Sequence, residues 1–113
     1  MSTTISGSLH DFDTKDTYEK LRVARRYTYT LRAMGGGKLR FKLKYYSPPE
    51  LAEAGNGEWY VLEDRSKIAG GTTLNGSFTV PETWASGKTS LKFIFSRGAL
   101  TEGVEYEFYM EPA

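Results

Sequence analysis

Five aromatic residues stand where aromatic residues have no evident packing duty. Trp59, Tyr60 and Trp84 lie beside loops or in short extended stretches, and Tyr46 and Tyr109 fall on the outward parity of alternating segments, among charges. A large planar ring left in water costs stability unless a ligand uses it. Sugar is one such ligand, because the C–H faces of a pyranose stack on aromatic planes while charged side chains bond its hydroxyls. Arg40, Lys42 and Glu107 supply that polar support, and the eight residues form the candidate ligand-binding set. The plain alternative for each ring is a place in the core or its rim, or in a protein interface, where Tyr and Trp are common.

Catalytic chemistry finds no comparable set. With a single His10, no cysteine and no G-x-S-x-G turn, no nucleophile has a recognisable base. Glu105, Glu107 and Glu111 alternate as on any solvated strand, unlike the facing carboxylates of a glycosidase. Asp11, Asp13 and Asp16 are spaced to converge on a hard cation such as calcium, but Lys15 among them and the missing EF-hand glycine and glutamate favour an Asp-rich turn. The expectation is a protein that is not an enzyme, with no cofactor and no metal.

Charge is unevenly spread although its total is only +1. Residues 1–19 carry net −3, residues 20–46 carry nine Lys or Arg and no acid, and residues 47–113 carry net −5. The basic block, with Tyr46 on the parity of Lys42 and Lys44, resembles a platform for single-stranded nucleic acid. A total charge near zero speaks against that partner. Glu105, Glu107 and Glu111 are expected to neutralise these lysines across a shared sheet, leaving much of the basic face to keep a β-rich chain soluble.

These side chains would be positioned by strands. Period-two alternation dominates, broken by Gly or Pro every eight to fifteen residues. Ile5 and Leu9 share one face of a first strand, and Tyr18, Leu21 and Val23 mark a less regular second. Tyr27, Tyr29, Leu31 and Ala33 face one way; after the turn Met34-Gly35-Gly36-Gly37, Leu39, Phe41, Leu43 and Tyr45 continue that apolar face back along a partner strand. Ser47-Pro48-Pro49-Glu50 reads as a short helix start. Along 58–63, periodicity alone leaves open whether Trp59 and Val61 or Tyr60 and Leu62 point inward. Three further strands follow, around Leu74 to Val80, Leu91 to Phe95 and Val104 to Met110, with a tight turn at Pro81-Glu82-Thr83-Trp84. Eight antiparallel strands with one apolar face each predict an all-β sandwich rather than a barrel.

A chain of 113 residues is expected to form one domain with its own core, residues 1–113. The absence of cysteine removes a disulfide framework and thiolate zinc sites. The first ten residues lack the basic and apolar regions of a signal peptide, and no apolar run reaches the ~20 residues that span a bilayer. A soluble protein is expected, extracellular or virion-associated, with no membrane span.

"RRYTYTLRA", "GKLRFKLKYY" and "GSFTVPETWASGKTSLKFIF" together resemble the jelly-roll β-sandwich of carbohydrate-binding modules, the galactose-binding-like group. Bacterial pre-peptidase C-terminal domains read similarly, and phage tail and capsid proteins use the same sandwich. The resemblance implies a non-catalytic binding module recognising a carbohydrate or cell-surface glycan; the alternative is a structural or assembly protein whose aromatics make subunit contacts. The ending "EYEFYMEPA" departs from the sugar-binding pattern, which closes on a strand with Asp or Asn facing the ligand, so the resemblance carries no site residues over.

Overall fold

The structure, a computed structural model, describes residues 2–10, 14–47, 58–82, 87–97 and 102–113. Among them no helix occurs, and eight strands form: β1 (Thr3–Leu9), β2 (Thr14–Arg22), β3 (Arg26–Gly35), β4 (Lys38–Ser47), β5 (Glu58–Ala69), β6 (Thr73–Thr79), β7 (Lys88–Arg97) and β8 (Val104–Pro112). One sheet has the order β1-β8-β3-β6 and the other β2-β7-β4-β5, every pairing antiparallel. The chain changes sheet at every connection except β4 to β5, which gives the jelly-roll sandwich. Its Cα extents of 43 × 31 × 16 Å leave room for two layers only.

The alternation that marks these strands is what fills the space between the layers. Leu39, Phe41 and Leu43 of β4 and Leu91, Phe93 and Phe95 of β7 are fully buried against Tyr29 and Leu31 of β3 and Tyr106 and Phe108 of β8. Phe41 stacks on Phe95 at 5.2 Å, and Phe95 lies on Tyr106 at 4.1 Å with planes 9° apart. Each such ring removes enough apolar surface from water to contribute about 1.5–3 kcal/mol. Room for the Tyr29 ring exists because its β6 partner is Gly76, where a side-chain carbon would strike the phenol. The buried Thr89 hydroxyl donates to the Pro81 carbonyl at 2.6 Å, which offsets the cost of taking it out of water.

Several sequence expectations are revised. Residues 26–33 and 39–45 are not partner strands: β3 pairs with β6 and β8, β4 pairs with β5 and β7, and the two apolar faces meet across the core, with Tyr29 and Phe41 edge to face at 5.7 Å. Facing the two buries both, which side-by-side pairing would not. Of the glycines between them only Gly35 takes positive φ, at 101°; Gly37 and Gly70 instead let backbone meet backbone, Gly37 N–H bonding the Gly103 carbonyl and Gly70 N–H the Gly37 carbonyl, each at 3.1 Å.

The expected neutralisation of Lys42 and Lys44 by Glu105, Glu107 and Glu111 also fails, because β8 belongs to the other sheet and Glu107 stands opposite Arg32. In the less regular β2, Leu21 is the buried residue and Tyr18 pairs with Lys92 on the outer face. The strand at 58–63 continues to Ala69. Pro48 to Glu50 of the expected helix, Thr83 and Trp84 of the expected turn, and Asp11 and Asp13 of the acidic loop lie outside the described residues.

Candidate functional site

The outer face of the β2-β7-β4-β5 sheet carries a cluster of rings, Tyr18 exposed and Trp59 and Tyr46 half-buried. A transverse row runs Tyr18, Lys92, Lys44, Val61, one residue from each strand. Among the described residues the exposed large hydrophobics are Tyr18 at 59%, Val61 at 52% and Tyr109 at 36%, and the first two share this row. Trp59 pairs with Tyr46 next to it. Its ring sits 6.0 Å from Tyr18 at 62° and 5.3 Å from Tyr46 at 59°, so three rings form tilted walls instead of a stack. The Lys92 ammonium lies 4.6 Å from the Trp59 ring centre and 5.5 Å from that of Tyr18, a cation–π arrangement that fixes a charge among the rings. Tyr18, Trp59 and Tyr46, with Glu19, Lys20 and Ser90, line an open depression of about 420 Å³, within the size range of small-molecule sites.

Trp59 reaches this face through an irregularity in β5. Asp64 lies opposite the outward Lys42 and Glu63 opposite the inward Leu43, so strict alternation would turn Trp59 toward the core. A bulge between the Leu43 and Lys44 pairings leaves Leu62 as an extra residue, and Val61 and Trp59 swing outward opposite Lys44 and Tyr46. Leu62 packs against the core, and Tyr60 takes the inner parity, half-buried, its ring 5.6 Å from Tyr45 and its O–H donating to Glu58 Oε2 at 2.6 Å.

The eight candidate residues therefore divide. Tyr46 and Trp59 are together. Arg40 and Lys42 are on the same face but six and four residues down β4 from Tyr46, about 20 and 13 Å along a strand. Arg40 Nη2 and Nε hold Asp64 at 3.1 and 3.3 Å, and Lys42 stands opposite the same carboxylate. The hydrogen bond from Arg40 keeps the Asp64 carboxyl below the usual range. Glu107 and Tyr109 are on the outer face of the other sheet, where Tyr109 O–H donates to Glu111 Oε2 at 3.0 Å. Trp84 lies outside the described residues. The sequence reading passed over Tyr18 and Lys92; the shared parity of Tyr18, Lys20 and Arg22 was the available signal. No group of three metal-ligating side chains forms among the described residues.

No protein-family model matches the chain, and no curated protein matches it. Solved structures do. PliG of Aeromonas hydrophila, a periplasmic inhibitor of g-type lysozyme, aligns over 99% of this chain and 86% of its own, at 16% identity and a TM-score of 0.52. TmCBM61, solved with β-1,4-galactotriose, aligns over 97% and 70% at 12% identity and a TM-score of 0.52. The CBM22-1–GH10 modules of Clostridium thermocellum xylanase 10B, complexed with xylohexaose, align over 85% of this chain and 19% of theirs at 16% identity, TM-score 0.52. The chain has the β-sandwich fold of carbohydrate-binding modules.

Proposed function

We propose that this protein is a non-catalytic binding module that holds a carbohydrate or cell-surface glycan on the outer face of the β2-β7-β4-β5 sheet. The carrying observation is the open depression walled by Tyr18, Trp59 and Tyr46, with Ser90 and Lys20 at its margin. Tilted rings offer apolar planes to sugar C–H faces from two sides, and the margin offers hydroxyl and ammonium groups to sugar oxygens. Neighbours of the same fold were solved with oligosaccharides, which supports the ligand class, and a periplasmic neighbour supports a place outside the cytoplasm. Screening the protein against a glycan array, followed by titration calorimetry on the hits, tests the proposal. Trp59→Ala should weaken binding at least about tenfold, the loss of one well-stacked ring, while Tyr109→Ala on the opposite face should not change it. Equal binding by Trp59→Ala, or no glycan bound at all, overturns the proposal.

A second reading, a subunit contact in a larger assembly, rests on the same face because Val61 and Tyr18 expose apolar surface there. It predicts concentration-dependent oligomers in light scattering that Val61→Ser abolishes; a strict monomer at high concentration removes it.

A further inference from the structure

Cations surround the ring depression in an arrangement that folding alone does not favour. Lys44 and Lys92 stand directly opposite one another on adjacent strands, and so do Arg22 and Lys88. Like charges so placed repel and destabilise a sheet. None of these four, nor Lys20, makes an ion pair within 4.0 Å among the described residues. The nearby acids do not pair with them: Asp64 is held by Arg40, Asp16 lies one transverse row away beside Ile94, and Glu19, which lines the depression, stands opposite Leu91 on the inner parity of β2 and makes no ion pair within 4.0 Å among the described residues. On the other sheet the same fold sets Arg32 opposite Glu107, so complementary pairing is within its reach.

Two ordinary accounts of surface lysine fit poorly. Edge protection against aggregation puts lysines on edge strands, yet β7 and β4 are the two central strands of their sheet. Solvation alone does not require a lysine to lie over two rings, as Lys92 does over Trp59 and Tyr18. The cations are grouped around the depression itself, with Lys20 on its margin and Lys92 over the rings that wall it.

We infer that the ligand of this depression is an acidic polysaccharide, its rings on Trp59, Tyr18 and Tyr46 and its carboxylate or sulfate groups on Lys92, Lys44 and Lys20. The inference rests on the glycan-binding proposal above and names the class of glycan. Single-stranded nucleic acid shares the negative charge, but rings tilted by 62° and 59° are not parallel platforms for successive bases, and a net charge of +1 is low for such a binder.

The test measures dissociation constants of the full chain for polygalacturonate (carboxylate), dextran sulfate (sulfate), a neutral β-1,4-galactan and single-stranded oligothymidylate. Measurements run at about 0.01 M and about 1 M salt, where the screening length falls from ~30 to ~3 Å. Lys44→Gln/Lys92→Gln removes two charges, Lys44→Arg/Lys92→Arg retains them, and melting curves confirm that both variants fold. The expected result is an acidic polymer bound roughly tenfold or more tighter than the galactan at low salt, since several exposed charge contacts add modest increments each. That ratio should collapse toward one at high salt and in the Gln variant, and return in the Arg variant. Whichever of the two acidic polymers binds tighter identifies the anionic group. Equal or tighter binding of the galactan, or a ratio that the Gln variant leaves intact, overturns the acidic-ligand inference and spares the glycan proposal. Oligothymidylate bound more tightly than every polysaccharide overturns it in favour of nucleic acid. No polysaccharide bound at all sinks the inference together with the proposal beneath it.

Discussion

Tyr29 and Tyr106 place phenols in apolar surroundings, and burial raises the pKa of each above its usual value of about 10. For Tyr29 the Glu63 carboxylate adds to the rise while the Arg65 guanidinium opposes it. A group whose pKa is raised by folding gives stability that is complete below the unfolded value and is lost as pH climbs through the folded one. Alkaline titration should therefore show these two phenols ionising only as the far-UV circular dichroism of the sheets disappears. All eight tyrosines ionising with the sheets intact would contradict this. At this scale the sequence was partly legible. Tyr27, Tyr29, Leu31 and Ala33 announce a buried side by strict alternation, and all four are buried. Tyr18 was missed because β2 is an edge strand that buries only Leu21, so its apolar side is too faint to set a phase.

Among elements, β5 shows why part of the candidate site could not be read in advance. A bulge is a one-residue change of phase, and within 58–63 it leaves a pattern compatible with either face, so Trp59 could not be assigned until Val61 was seen opposite Lys44. Strand partners were equally out of reach. The apolar sides of 26–33 and 39–45 were evident, but a side that needs cover does not say whether it is covered by a neighbour in the same sheet or a layer across the core. The facing of Lys44 and Lys92 yields a prediction of its own. Lys44→Glu replaces a repulsive cross-strand pair by an attractive one and should raise stability by about 0.5–1 kcal/mol, seen as a higher denaturation midpoint. The same change should weaken binding of an acidic polysaccharide. A variant no more stable than the parent would show that the two ammonium groups do not feel each other.

Across the whole molecule, stability resides in the aromatic interior shared by four strands. Phe108 is fully buried and touches the rings of Tyr29, Phe41, Phe93 and Phe95. Phe108→Ala should cost about 3–5 kcal/mol, measured by chemical denaturation, with both sheets losing structure in one transition. The exteriors of those sheets differ: one bears Lys20, Lys44, Lys88 and Lys92, the other Glu105, Glu107 and Glu111 with Arg26 and Arg32. Among the described residues the aromatic side is therefore the more positive of the two. The protein should adhere to a cation-exchange resin at low ionic strength by this side despite its small net charge. Drifting toward a negatively charged wall, it would rotate to arrive aromatic side first.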